Sequence, residues 1–242
     1  MLDWTSQSSF LKDLIELLAS IPISTSSDTL FMPQGYDSPS EARLETFGPS
    51  WRPKIDTWSD LNKWWLCHRV GANTPNWDIA VGCLIENSPG LVLVEAKANW
   101  KELGTAGKKL SSSSSAKSRD NYDCIGKAIQ EACDGWRLLD ERVAISYKSH
   151  YQLANRLAFT WKLGMLGFPV VLMYLGFIGD YGIRDVGEPF SDDEDWQQAL
   201  MQYTENIIPM DMFDRRLDIG PSPVWLLSRS RSIIEVSPKA VS

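Results

Sequence analysis

The sequence predicts an α/β (α+β) chain with a central mixed β-sheet flanked by helices, and three observations predict it. Leu11, Leu14, Ile15 and Leu18 recur at helical spacing. Two strand-like runs, Asn76–Ile85 and Leu91–Ala98, flank the turn-forming cluster Glu86–Gly90 and read as a β-hairpin. The uncharged run Val170–Ile178 reads as a strand buried on both faces. The 242 residues are enough for one large core, and the 43% apolar and 23% charged content is that of a globular chain. A single domain over 1–242 is expected.

The first helix is expected over 10–19, closed by Pro22 and a Ser/Thr-rich stretch. Ser40 caps a short helix carrying Glu41 and Glu45, four apart and so on one face. Thr57–Cys67 follows as a helix with Leu61, Trp64, Trp65 and His68 on one side, and Lys63–Arg69 as a strand is the alternative. After the hairpin, Ser111–Ser115 lies in a Gly/Ser/Lys-rich loop whose composition predicts mobility. Tyr122–Leu139 and Ser149–Leu166 are the next helices. The strand Val170–Ile178, an acidic helix Asp192–Ile207 and a final strand Val224–Ser228 complete the chain, within a C-terminal extension over 185–236.

A net charge of −7 argues against a polycationic nucleic-acid binder and leaves room for a local basic patch. One such patch exists. From Lys97 to Arg119 there are six basic residues and one acid, Glu102. Lys101, Lys108, Lys109, Lys117 and Arg119 are candidates to neutralise phosphates. Gly104–Lys109 is not a P-loop, because its glycines are too close and Lys109 follows the lysine. The four cysteines and two histidines show no zinc spacing, and Met1–Trp4 opens no signal peptide. Free, mostly buried thiols, a cytoplasmic location and no membrane span are expected.

The hairpin carries the chemistry. With an index sum of 175 for opposed residues, Asp78 faces Lys97 and Ala80 faces Glu95, all on one face of the sheet. Ala80 and Gly82 then leave space beside the carboxylates. The other face, from Ile79 to Ile85 and Val92 to Ala98, is apolar throughout and reads as the core face. Two acids and a lysine at one strand end form a seat for a hard divalent cation.

At Asp78, the hairpin turn and Glu95-Ala96-Lys97 after an apolar strand, the chain resembles the PD-(D/E)XK nuclease superfamily. The family's proline before the aspartate is replaced by Trp77, with Pro75 three residues before Asp78. The resemblance implies a restriction-endonuclease-like αβββαβ core over about 40–179. It implies a catalytic set of Asp78, Glu95, Lys97 and Gln152, with Gln130 the alternative to Gln152. Asp78, Glu95 and the Ala96 carbonyl would hold Mg²⁺, which Mn²⁺ would replace, and Glu41 or Glu45 would complete the shell. The expected activity is Mg²⁺-dependent phosphodiester hydrolysis with nucleic acid, DNA favoured, as substrate. The alternatives are a nuclease-fold binding module that does not cut and an interaction protein. In the latter a tryptophan-rich surface would form an obligate homodimer interface, although most of the eleven tryptophans read as core anchors. Trp77 and Trp100 flank the site as packing anchors or base-stacking platforms.

Overall fold

A computed structural model of the chain describes residues 1–52, 56–69, 72–183 and 185–233. Residues 234–236 of the expected C-terminal extension lie outside the described residues. The chain opens with helices α1 (Leu2–Thr5) and α2 (Phe10–Leu17) and the short strands β1 (Ile23–Ser24), β2 (Phe31–Met32) and β3 (Ala42–Arg43). Helices α3 (Leu44–Trp51) and α4 (Thr57–Trp65) lead to β4 (Asn76–Trp77) and to the hairpin strands β5 (Ile79–Ile85) and β6 (Ser88–Lys97). Then come α5 (Ala116–Arg137), α6 (Tyr151–Met165), β7 (Val170–Ile178), α7 (Asp193–Thr204), β8 (Arg216–Leu217) and β9 (Val224–Ser232).

The expected mixed sheet is present. Its order is β1-β5-β6-β7-β9-β8, with β2 also pairing β5. The β5–β6 pair is antiparallel, and β6–β7 and β7–β9 are parallel. Because parallel neighbours need a crossover, α5 and α6 separate β6 from β7, and α7 separates β7 from β9. Among the described residues no helix is long and apolar enough to cross a membrane.

The hairpin register differs from the expected one by two residues. Ile79 faces Val94 and Ile85 faces Ser88, so the index sum is 173. The turn uses only Glu86 and Asn87, at φ of 50° and 62°, and Ser88–Gly90 joins the strand. Two left-handed residues match the twist of the flanking strands better than a five-residue loop. A shift of two leaves every side chain on its expected face.

Both faces of the sheet are buried, where one core face was expected. Ile79, Val81, Val92, Val94, Val171 and Met173 pack with Phe10 and Leu14 of α2 in the smaller core. Ala80, Leu91, Leu93, Leu172 and Leu226 pack in the larger core, which includes residues of α3 to α7. The space expected beside Gly82 is filled, because a Cβ there would lie 2.4 Å from the Trp51 indole.

Three local expectations also change. Ser40 caps no helix: Ala42–Arg43 pairs with Asn76–Trp77, and the helix starts at Leu44. Helix α5 starts at Ala116, six residues earlier than expected, because Ser115 Oγ accepts from Ser118 N and caps it. Not all thiols are free. Cys67 and Cys124 form a disulfide, while Cys83 and Cys133 are free and buried. Asn121 of α5 draws the chain after α4 onto its surface, accepting from His68 N and donating to His68 O. That contact brings together two cysteines 57 residues apart in sequence.

Candidate functional site

Strand β6 alternates between the two cores until Val94 and then turns charged on the larger-core side. Glu95 is 1% exposed and Lys97 6%. A carboxylate at that depth needs charged partners. Lys97 Nζ donates to Glu95 Oε1, and Arg156 Nε donates to Oε2 at 2.5 Å. Arg156 comes from α6 and is itself 6% exposed. Its guanidinium carbon lies 4.6 Å from the centre of the Trp77 ring, and Nη1 donates to Asn155 Oδ1 at 2.8 Å.

Continuing the β5–β6 pairing by one residue sets Asp78 opposite Glu95. Asp78 Oδ2 accepts from Ala96 N at 2.8 Å. Burial and the neighbouring Glu95 push the Asp78 carboxyl up to about 6, against the Ala96 hydrogen bond and the two cations. Burial pulls Glu95 the same way, but Arg156 and Lys97 outweigh it and hold Glu95 below its ordinary range.

These groups line a cleft of about 680 Å³. Glu41, Ala96, Glu102, Tyr151, Gln152 and Asn155 share it with Asp78, Glu95, Lys97 and Arg156. The β3–β4 pair brings Glu41 there, whereas Glu45 accepts the Thr74 hydroxyl and does not line the cleft. Gln152 lies on the cleft wall. Gln130 instead bonds Asp134 and faces a separate groove over α5.

The basic segment contributes less than its charge implied. Lys101 Nζ is held by Val186 O at 3.0 Å, and Lys109, Lys117 and Arg119 are exposed. Lys108 does not line the cleft but lies against Tyr151, which does, with Nζ 4.6 Å from the centre of its ring. The residue of this segment between 101 and 119 that does line the cleft is its one acid, Glu102, which accepts from Ala98 N at 2.8 Å. The expected mobile loop is pinned in its first half: Lys108 N donates to Tyr147 O, His150 N to Thr105 O and Tyr151 N to Ala106 O. Trp77 is fully buried under Arg156 and is a platform for that side chain rather than for a base. Trp100 is 37% exposed and its Nε1 is bound to Asp195 Oδ1.

Arg156, Asn155 and Glu102 were not anticipated. For Arg156 one signal was available: it lies four residues after Gln152, on the same face of one helix.

The cleft offers oxygen donors of the kind a hard cation takes, but both Glu95 oxygens are bonded by Lys97 and Arg156. Four carboxylates (Glu41, Asp78, Glu95 and Glu102) and two cations (Lys97 and Arg156) line the cleft. Among the described residues no three Cys, His, Asp or Glu side chains already converge on one point. A cation here would rest on Asp78, Glu95, the Ala96 carbonyl and waters, a set that Mg²⁺ accepts. No family model, curated protein or solved structure matches this chain, so the site is read from its own residues.

Proposed function

We propose that the chain is a metal-dependent phosphodiester hydrolase with a restriction-endonuclease-like core, acting on nucleic acid with DNA favoured. The observation that carries this reading is the opposition of Asp78 and Glu95 on one sheet face, with Lys97 bonded to Glu95 beside a cleft. The element order supports it. With α2 as the first helix, the edge strands β1 and β2, then β5, β6, the α5–α6 pair and β7 follow in the order αβββαβ. On this reading the core starts near residue 10 rather than 40, and β3, α3, α4 and β4 form an insertion.

Bound at Asp78, Glu95 and the Ala96 carbonyl, Mg²⁺ or Mn²⁺ would supply Lewis acidity toward a phosphoryl oxygen. The protein's own groups do the rest. Lys97 Nζ, held at the cleft by Glu95, orients the attacking water and offsets negative charge building on the phosphate. Gln152, on the wall formed by α6, positions the nucleic-acid backbone. Both Glu95 oxygens are held by cations, and this favours, as a second reading, a binding module of the same fold that does not cut.

The test is cleavage of plasmid, linear duplex and single-stranded DNA and RNA with Mg²⁺ or Mn²⁺, alongside calorimetry of metal binding. Lys97→Ala is expected to lower the rate by about 100- to 1000-fold. Metal affinity should hold or rise, since a neighbouring positive charge is gone. Glu95→Ala is expected to lose both. Wild-type protein that binds nucleic acid but neither cuts nor binds metal selects the second reading.

A further inference from the structure

The Glu95–Arg156 pair leaves part of the arginine unused. A guanidinium has five N–H donors. Here Nε is taken by Glu95 and Nη1 by Asn155, while among the described residues Nη2 meets no protein acceptor. The side chain is 7% exposed, and the residue lies on the cleft wall. Nη2 keeps contact with solvent there, so it can donate to an oxygen arriving in the cleft without breaking a bond inside the protein.

The guanidinium is also held in place before any ligand arrives. Trp77 supports its plane, Asn155 fixes one nitrogen and Glu95 another, so little side-chain freedom remains to be lost on binding. Glu95 does not need this second cation for neutrality, because Lys97 already meets it. Arg156 shares its helix face with Gln152, one turn earlier. A planar fork of N–H donors at the wall of a cleft fits the oxygens of a phosphate.

We propose that Arg156 is a phosphate-binding residue, whose free guanidinium edge takes an oxygen of the nucleic-acid backbone. This rests on the hydrolase reading for the identity of the ligand. It adds the side chain that recognises it and a function for the α6 wall.

The test uses the whole chain without metal, titrated with a short single-stranded DNA oligonucleotide and, separately, with inorganic phosphate. The side-chain Nε–Hε signal of Arg156 is followed by NMR in the wild-type protein, and affinity is measured for Arg156→Lys and Arg156→Gln. The expected result is a shifted Arg156 signal with the oligonucleotide, with or without a response to inorganic phosphate. Arg156→Lys should bind the oligonucleotide about tenfold more weakly, because it keeps the charge and loses the fork. Arg156→Gln should also reduce the salt slope by about one. If the glutamine variant does not fold, the wild-type signal and the lysine variant decide. An unmoved signal, a response to inorganic phosphate alone, or wild-type affinity in Arg156→Lys overturns the proposal. The two readings fail separately. Absent cleavage with Arg156-dependent oligonucleotide binding removes the hydrolase alone. Active enzyme with unchanged kcat and KM in Arg156→Lys removes only the role of Arg156.

Discussion

The two faces of the sheet are made by the same strands and end differently. On the α2 side, β6 stays apolar through Val92, Val94 and Ala96, and Ala98 continues the pattern just after it. On the other side, Leu91 and Leu93 give way to Glu95 and Lys97 at nearly the same depth. The smaller core is a packing surface from end to end. The larger core gives up its last layer to a carboxylate, a lysine and an arginine brought from α6. Buried ion pairs of this kind add little or nothing to stability compared with apolar residues of the same volume. On the proposed reading, the trio beside the cleft serves the chemistry and not the stability of the fold.

The largest expected effect breaks the charged side. Glu95→Ala removes the carboxylate that both Lys97 and Arg156 bond and should cost about 3–5 kcal/mol in a denaturant melt. Replacing all three by apolar residues of similar volume should recover most of that loss, which would show that the trio is not there for stability.

A smaller effect depends on pH. The Asp78 carboxyl is raised to about 6, so the folded state holds its proton more tightly than the unfolded chain. Its contribution is therefore present in acid and is lost as pH rises through about 6. In metal-free protein, Asp78→Asn should add about 3 kcal/mol at about pH 8 and almost nothing near pH 4, measured by paired melts. Divalent metal should shrink that gain, since it stabilises the ionised wild-type site and has less to bind in the variant.

The smallest effect belongs to the apolar side. Met173→Leu conserves volume in the smaller core and should cost less than about 1.5 kcal/mol. Glu95→Gln is just as conservative in shape, and a melt should show it costing more, because it strips the charge that two buried cations share.

The periodicity of β5 and β6 was enough to assign Asp78, Glu95 and Lys97 to one side, and that assignment survives a register error because the error was even. The register itself depended on whether Ser88–Gly90 was turn or strand, which composition did not decide against the geometry of Glu86 and Asn87. Glu41 and Glu45 were read on a helix that begins only at Leu44, since the pairing of Ala42 with Trp77 overrides the local cap signal. Arg156 was out of reach for a different reason. Its partner Glu95 is 61 residues away, and only the packing of α6 on the sheet joins them. The Cys67–Cys124 bond is another contact of this long-range kind.

That bond closes residues 67–124 into a covalent ring, and the ring contains Asp78, Glu95 and Lys97 together with the exposed serines before α5. A protease nicking the chain at Ser111–Ser115 would therefore cut the ring without separating the molecule. The N-terminal piece would carry the hairpin acids and the C-terminal piece Gln152 and Arg156, still tethered through sulfur. Such a nicked protein should run as one species on a non-reducing gel and as two after thiol treatment. In the folded protein, reduction would leave the two halves of the cleft joined without a covalent link, through the β6–β7 pairing, the shared cores and the Glu95–Arg156 pair.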